Sequence, residues 1–263
     1  MIGRTEGNLE PALMQRLHRA LTESGDELFI LMQDGSPEVL RASLKNPALG
    51  EDHLLALLKR RDLTEDLLKA IHQLKAVVSS HRLKVALAYN PMTPGPIVQS
   101  LLGQLFLFEL ITLCYLPGVT PDQKLAAERI LLQRLPTTDL GNKVTLARRG
   151  TSTLVGELLK EGEPLLMEPC LANPRLKEIS ILQFLNGPRG SAETISIIAR
   201  HPRWKTRPNL KLAILKNRKT PPVWFTLFLP PLRRVDLHDL LASRRLSPGQ
   251  KKLVEDEVRR RGF

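Results

Sequence analysis

The 263-residue chain is 42% hydrophobic and 25% charged but only 4% aromatic, which excludes a disordered composition and leaves Leu, Ile, Val and Ala to build the core. Its formal charge of +12 is not spread evenly: residues 1–136 carry 15 basic and 15 acidic side chains, residues 137–199 carry 7 of each, and residues 200–263 carry 17 against 5. The last quarter holds the whole excess, which predicts an acidic partner for that end or a solvated basic face.

The first residues, MIGRTEGNLEPALMQRL, lack the apolar stretch of a signal peptide. Residues 1–12 read as a frayed or capping segment, as do residues 259–263. From Leu13 onward, apolar and turn residues recur at a fixed offset of 127: Leu13 with Leu140, Ala20 with Ala147, Gly35 with Gly162, Asn46-Pro47 with Asn173-Pro174. Such self-similarity is the signature of a repeat architecture. Inside each half, Asn46 and Asn90 stand 44 apart, as do Asn173 and Asn217.

Each subunit follows one grammar. Val39-Leu40-x-Ala42-x-Leu44 predicts a short helix, which Asn46-Pro47 stops, since Asn tolerates a left-handed cap and Pro cannot continue a helix. A second helix follows with Leu54, Leu55, Leu57 and Leu58. Thr64 opens the next, with Glu65 and Asp66 in its favoured N-terminal turn. Leu83-Lys84-x-Ala86-x-x-x-Asn90-x-x-Thr93-Pro94 returns as Leu210-Lys211-x-Ala213-x-x-x-Asn217-x-x-Thr220-Pro221. Thr93-Pro94, Thr120-Pro121, Thr220-Pro221 and Ser247-Pro248 read as start signals, the hydroxyl at N-cap and Pro at N1. The most apolar run, Leu101 to Leu116, is short for a membrane span and contains Glu109; it reads as a buried core helix. Pro222 to Leu229 has strand propensity, but its double in the first half follows the same Thr-Pro signal, so both are expected to be helical.

The expected fold is an all-α, right-handed α-solenoid of short helices, internally duplicated, with a first copy over residues 1–135 and a second over 136–263 in one continuous solenoid. Short helices that cannot bury their faces alone must stack on neighbours. The segments LRASLKNPALGEDHLLALL, LKVALAYNPMTPGPIVQSLL and LKLAILKNRKTPPVWFTLFL resemble the leucine-rich repeat variant and, more loosely, the HEAT repeat. The former resemblance implies alternating α- and 3₁₀-helices; the latter implies antiparallel α-helical pairs. A cysteine-ligated iron–sulfur cluster, known beside such variant repeats, is not implied here, since the required cysteines are missing.

Signals for chemistry are few. There is no Walker loop, G-x-G-x-x-G, H-E-x-x-H or G-x-S-x-G. His238 stands beside Asp236 and Asp239, but on a helix Asp236 and His238 point to different faces. Cys114 and Cys170 sit in apolar surroundings with no C-x-x-C partner, as small buried hydrophobes of a reducing, cytoplasmic compartment. No metal, cofactor, small-molecule substrate or catalytic residue is expected.

Partner binding is expected where the second copy departs from the first. His201 to Pro208 is a Pro-bounded connector carrying Arg203, Trp204, Lys205 and Arg207; its double, Leu74 to His81, lacks nearly all of that. Arg and Trp beside each other can hold phosphates and stack on a base, or anchor a protein; alternatively Trp204 plugs a joint between helices. Lys216, Arg218 and Lys219 replace Tyr89, Pro91 and Met92, while Arg233-Arg234 and Arg244-Arg245 replace Phe106-Leu107 and Pro117-Gly118. The candidate partner-binding residues are therefore Arg203, Trp204, Lys205, Arg207, Lys216, Arg218, Lys219, Arg233 and Arg234. The expected role is a non-enzymatic scaffold that binds a protein on its concave or basic C-terminal surface, with nucleic acid as the alternative.

Overall fold

The computed structural model describes residues 10–262, and among them it contains helices and turns but no strand. The chain forms two compact units, Met1–Ile130 and Leu131–Phe263. The first contains α1 (Pro11–Thr22), α2 (Asp26–Leu31), α3 (Pro37–Ser43), α4 (Glu51–Leu58), α5 (Glu65–His72), α6 (Lys75–Ser79), α7 (His81–Tyr89), α8 (Gly95–Leu102) and α9 (Leu107–Leu113). The division falls within α10 (Pro121–Arg134). A 3₁₀ turn, Leu135–Thr137, precedes α11 (Leu140–Arg149), α12 (Ser152–Lys160), α13 (Pro164–Ala172), α14 (Glu178–Asn186), α15 (Ala192–Arg200), α16 (Pro208–Leu215), α17 (Pro222–Phe228), α18 (Arg234–Ala242) and α19 (Pro248–Arg260).

Most helices pack on the element two places along, and α4 reaches past α5 and α6 to α7. In the first unit α1 lies on α3 and α3 on α5, while α2 lies on α4, α4 on α7 and α7 on α9. In the second, α11, α13 and α15 stack in one row and α12, α14 and α16 in another, with α17 on α19. This is the packing of an all-α solenoid. Each helix contributes one apolar stripe to the interior, such as Leu67, Leu68 and Ile71 of α5 or Ile195, Ile198 and Ala199 of α15. Two or three turns of helix are marginal alone, so stacking supplies the stability. Among the described residues, no helix is long and apolar enough to cross a membrane.

Starts and stops are partly as the sequence reads. Thr64 accepts the Leu67 backbone N–H, and Ser247 and Gln250 form a reciprocal capping box. Thr120 and Gln123 make the same box. Thr93 and Thr220 do not cap the following helix. Each buried hydroxyl instead donates back to the preceding one, to the carbonyls of Leu87 and Ile214, and Pro94 and Pro221 take the N-cap places. The asparagine stops also differ from expectation. No non-glycine described residue has positive φ, and Asn90 and Asn173 are extended, at φ/ψ of −71/122° and −64/124°. Their side chains do the terminating, by bonding to carbonyls at the ends of neighbouring helices.

The apolar run from Leu101 to Leu116 is two elements rather than one buried helix. Leu101, Leu102, Leu110 and Leu113 are buried in α8 and α9, but Phe106, Phe108 and Tyr115 are exposed. At the other end of the chain, Arg261 is held rather than frayed, donating to the carbonyls of Leu229, Pro230 and Leu232 and pairing with Glu257.

Gly162 turns the chain from α12 to α13 at φ +71°, where a Cβ would stand 2.9 Å from the Arg189 carbonyl oxygen. Its sequence double, Gly35, has no positive φ, and a Cβ there meets nothing within 4 Å. Gly162→Ala is expected to destabilise by about 2 kcal/mol, from the left-handed backbone and the contact together. Gly35→Ala should stay within about 0.5 kcal/mol of the parent. Urea midpoints of the two variants, compared directly, check this.

Candidate functional site

The last carbonyls of a helix have no partner within it. Here a side chain from a loop two or three helices further on satisfies them. Asn46 Nδ2 donates to the carbonyls of Ala20 and Glu23 at 2.9 and 2.8 Å, and Asn173 Nδ2 to Ala147, Arg148 and Gly150 at 2.8, 3.1 and 3.3 Å. Asn90 reaches Leu58 and Arg60, and Asn217 reaches Leu185. Each Asn Oδ1 also accepts the backbone N–H two residues on, at Ala48, Met92, Arg175 and Lys219. One amide thus closes its own turn and ties it to the neighbouring loop.

Cations take the same part. Arg60 donates to the carbonyls of Met32 and Asp34. Arg203 donates to Asn173, Pro174 and Leu176 at 2.7, 3.1 and 3.3 Å. These bonds sort the loops of the second unit onto two edges. One edge carries the loops around residues 148–150, 173–177 and 201–207. The other carries 186–190, 216–220 and 243–247, joined by Asn217, by Lys219 Nζ on the Pro188 carbonyl (3.0 Å), by Arg245 on Asn186 Oδ1 (2.6 Å), and by Gln250 on the carbonyls of Asn217, Arg218 and Thr220.

The nine candidate residues do not share one patch. On the first edge Trp204 is 3% exposed, its Nε1–H donating to the Leu171 carbonyl at 2.9 Å, and the Arg203 guanidinium lies 4.4 Å above its ring. Both are joint-makers between loops, and Trp204 offers no face for a base or a partner. Lys205 and Arg207 are exposed beside them. Arg233 is committed to both oxygens of Asp236, at 3.0 and 3.2 Å, and its guanidinium holds that carboxyl below the usual range. Arg234 Nε donates to His238 Nε2 at 3.4 Å, so Asp236 and His238 serve separate cations. The described residues contain no group of three or more His, Cys, Asp and Glu that could hold a metal. Burial pushes the Cys114 and Cys170 thiols up to about 11 and about 12, which leaves them as unreactive thiols at neutral pH.

Lys216, Arg218 and Lys219 do come together, on the second edge. With Arg244 and Arg245 they line a cleft of about 390 Å³ whose remaining walls are Leu185, Asn186, Gly187, Pro188 and Asn217. No carboxylate lines it. Lys219 and Arg245 are engaged as above, and Lys216 is near enough to Asp236 to help lower its carboxyl pKa, whereas Arg218 and Arg244 have no side-chain partner among the described residues. Arg244 and Arg245 were absent from the sequence-based set. The signal that finds them is adjacency of loops two helices apart, which places 216–219 beside 244–245.

His201 adds a pH-dependent joint. It is 8% exposed, its Nδ1 accepts the Arg203 backbone N–H at 3.3 Å, and its Nε2 faces Glu168 at 3.6 Å. Burial holds the imidazole below the usual histidine range; Glu168 opposes this and Arg203 adds to it. A depressed histidine pKa contributes stability above the unfolded value, about 6.5, which is lost as pH falls toward the folded-state value. The parent is therefore expected to lose stability relative to His201→Asn, which keeps the acceptor but does not titrate, as pH falls from neutral through about 6.5 and below. Denaturant midpoints of both proteins across that range check the sign.

Compared with known proteins, the chain matches no family model, no curated protein and no solved structure.

Proposed function

We propose that the chain is a non-enzymatic helical-repeat scaffold that holds an acidic segment of a protein partner in the cationic cleft of its second unit. One observation carries this: Lys216, Arg218 and Arg244, from two neighbouring loops, line one cleft that has no carboxylate in its lining, and Arg218 and Arg244 have no side-chain partner among the described residues. Cations held together in a cleft with no carboxylate in its lining repel one another, and an anionic segment relieves that repulsion. Their first-unit doubles are Tyr89, Pro91 and Pro117, so the charge is not a requirement of the repeat. The helices are α-helical apart from the turn at Leu135–Thr137, which supports the HEAT-like form of the repeat over alternation with 3₁₀-helices. Two buried, inert thiols fit a reducing compartment.

A nucleic acid is the second reading, favoured by the excess of 17 basic over 5 acidic residues in 200–263. It ranks below protein because no aromatic ring lines the cleft and Trp204 is buried, which removes the stacking that single strands use. Fluorescence anisotropy with labelled polyglutamate, duplex DNA and single-stranded RNA tests both. Polyglutamate is expected to bind, and K216E/R218E/R244E to weaken it at least about tenfold, with K205E/R207E on the other edge near the parent. Tighter nucleic-acid binding with a steep salt dependence would put the second reading first. If no probe binds at low salt, the cleft is not a binding site.

A further inference from the structure

The first unit carries its own groove, of about 590 Å³, at the register of the basic cleft. Tyr89, Pro91 and Pro117 in its wall stand 127 positions before Lys216, Arg218 and Arg244. The chemistry is different. The groove runs along α4 and α7, where Leu55, Ala56 and Ala86 form a half-buried apolar floor. Two alanines on adjacent helices leave the depth that larger side chains would fill. Phe29 and Tyr89 line its sides.

Both rings are fixed by contacts behind them. Tyr89 Oη donates to the Glu109 carbonyl at 2.9 Å, and Phe29 packs on His53 with centroids 4.1 Å apart. The slot therefore exists without a ligand, and ordering it costs a partner little. The second unit has Gly156 where Phe29 stands and Lys216 where Tyr89 stands, so the fold does not demand these rings. Lys59 and Arg61 line the groove as exposed cations with no side-chain partner among the described residues. Arg82 sits 3.2 Å from Glu51 and 3.9 Å from Asp52, the only carboxylate in the lining.

We infer that this groove docks a short segment of a protein partner, one that places a large apolar side chain between Phe29 and Tyr89 and carboxylates against Lys59 and Arg61. The apolar floor favours an apolar side chain over a phosphate backbone as occupant, and the unpaired cations select an acidic flank. The inference is independent of the basic cleft, since it uses residues of the other unit.

Panning a random twelve-residue phage-displayed peptide library on the full chain tests it. The expected consensus is an aromatic residue or Leu adjoined by Asp or Glu. Synthetic peptides of that consensus should bind the parent and weaken at least about tenfold on K59E/R61E and on Ala86→Trp, which fills the slot. They should bind K216E/R218E/R244E as they bind the parent. Circular dichroism establishes that Ala86→Trp is folded; if it is not, K59E/R61E decides alone, both residues being exposed. No consensus, a consensus without acids, or binding that survives K59E/R61E overturns the inference. Acidic peptides without an apolar anchor that respond only to K216E/R218E/R244E report the cleft of the second unit and count against the groove.

Discussion

Asn173→Ala is expected to lower the stability of the fold by about 3 kcal/mol, more than any exposed cation of the same unit. The side chain is 2% exposed, and its amide faces three carbonyl oxygens that have helix-terminal geometry. Truncation leaves Ala147 and Gly150 with buried acceptors and removes the 2.8 Å bond to the Arg175 backbone. Each buried unsatisfied group costs about 1–3 kcal/mol, so two cost about 2–6 kcal/mol, and partial relaxation keeps the total near about 3 kcal/mol. Asn173→Asp should be at least as damaging, because it turns a carboxylate oxygen toward carbonyl oxygens. Asn217 is the internal comparison. It occupies the same place in its own repeat but is only half-buried and ties one carbonyl, Leu185. Asn217→Ala should therefore cost about 1 kcal/mol. Urea unfolding of both variants, with hydrogen exchange across α11 and α13, gives the ordering. Equal, small effects at the two sites would show that the amide ladder contributes nothing.

The 127-residue offset was legible in the sequence and returns in the bonds themselves. Asn46 to Ala20 and Asn173 to Ala147 differ by that offset at both ends, as do Thr93 to Leu87 and Thr220 to Ile214. The sequence marked these residues as punctuation but not how they punctuate. An Asn before a Pro or Arg fits a left-handed cap equally well, and the carbonyls it binds instead belong to residues of no particular type some 23 to 32 positions away. Backbone acceptors leave no mark in composition. The candidate surface was legible as charge and not as place. Arg203 and Arg218 look alike in the chain, yet one lies across three carbonyls and the other lines an open cleft. Which of them is free depends on the edge its loop occupies, and that is set by counting helices rather than by local pattern. Phe106 and Tyr115 show the same limit from the apolar side: a continuous apolar run says that residues are hydrophobic, and the turn between α8 and α9 decides which of them reach the core.

Trp204 is where the structural and the binding readings make opposite predictions. If it anchored a partner, Trp204→Ala would leave a stable protein that binds poorly. Its burial, the Nε1–H bond to Leu171 and the guanidinium stacked above it place it in the joint between the α13 and α15 ends. Trp204→Ala is therefore expected to cost about 4 kcal/mol, as a large buried ring lost to a cavity. Trp204→Phe keeps most of the apolar surface but leaves the Leu171 carbonyl without its donor, for about 1–3 kcal/mol. Arg203→Lys should fall between the parent and Trp204→Phe, since an ammonium cannot span three carbonyls as the planar fork does. Thermal unfolding of the three variants should follow that order. Polyglutamate binding by Trp204→Phe, measured well below its midpoint, should match the parent, because the ring lies on the edge opposite Lys216, Arg218 and Arg244. A folded Trp204→Phe protein that has lost binding would move the contact surface to the 201–207 loop and make the cleft a bystander.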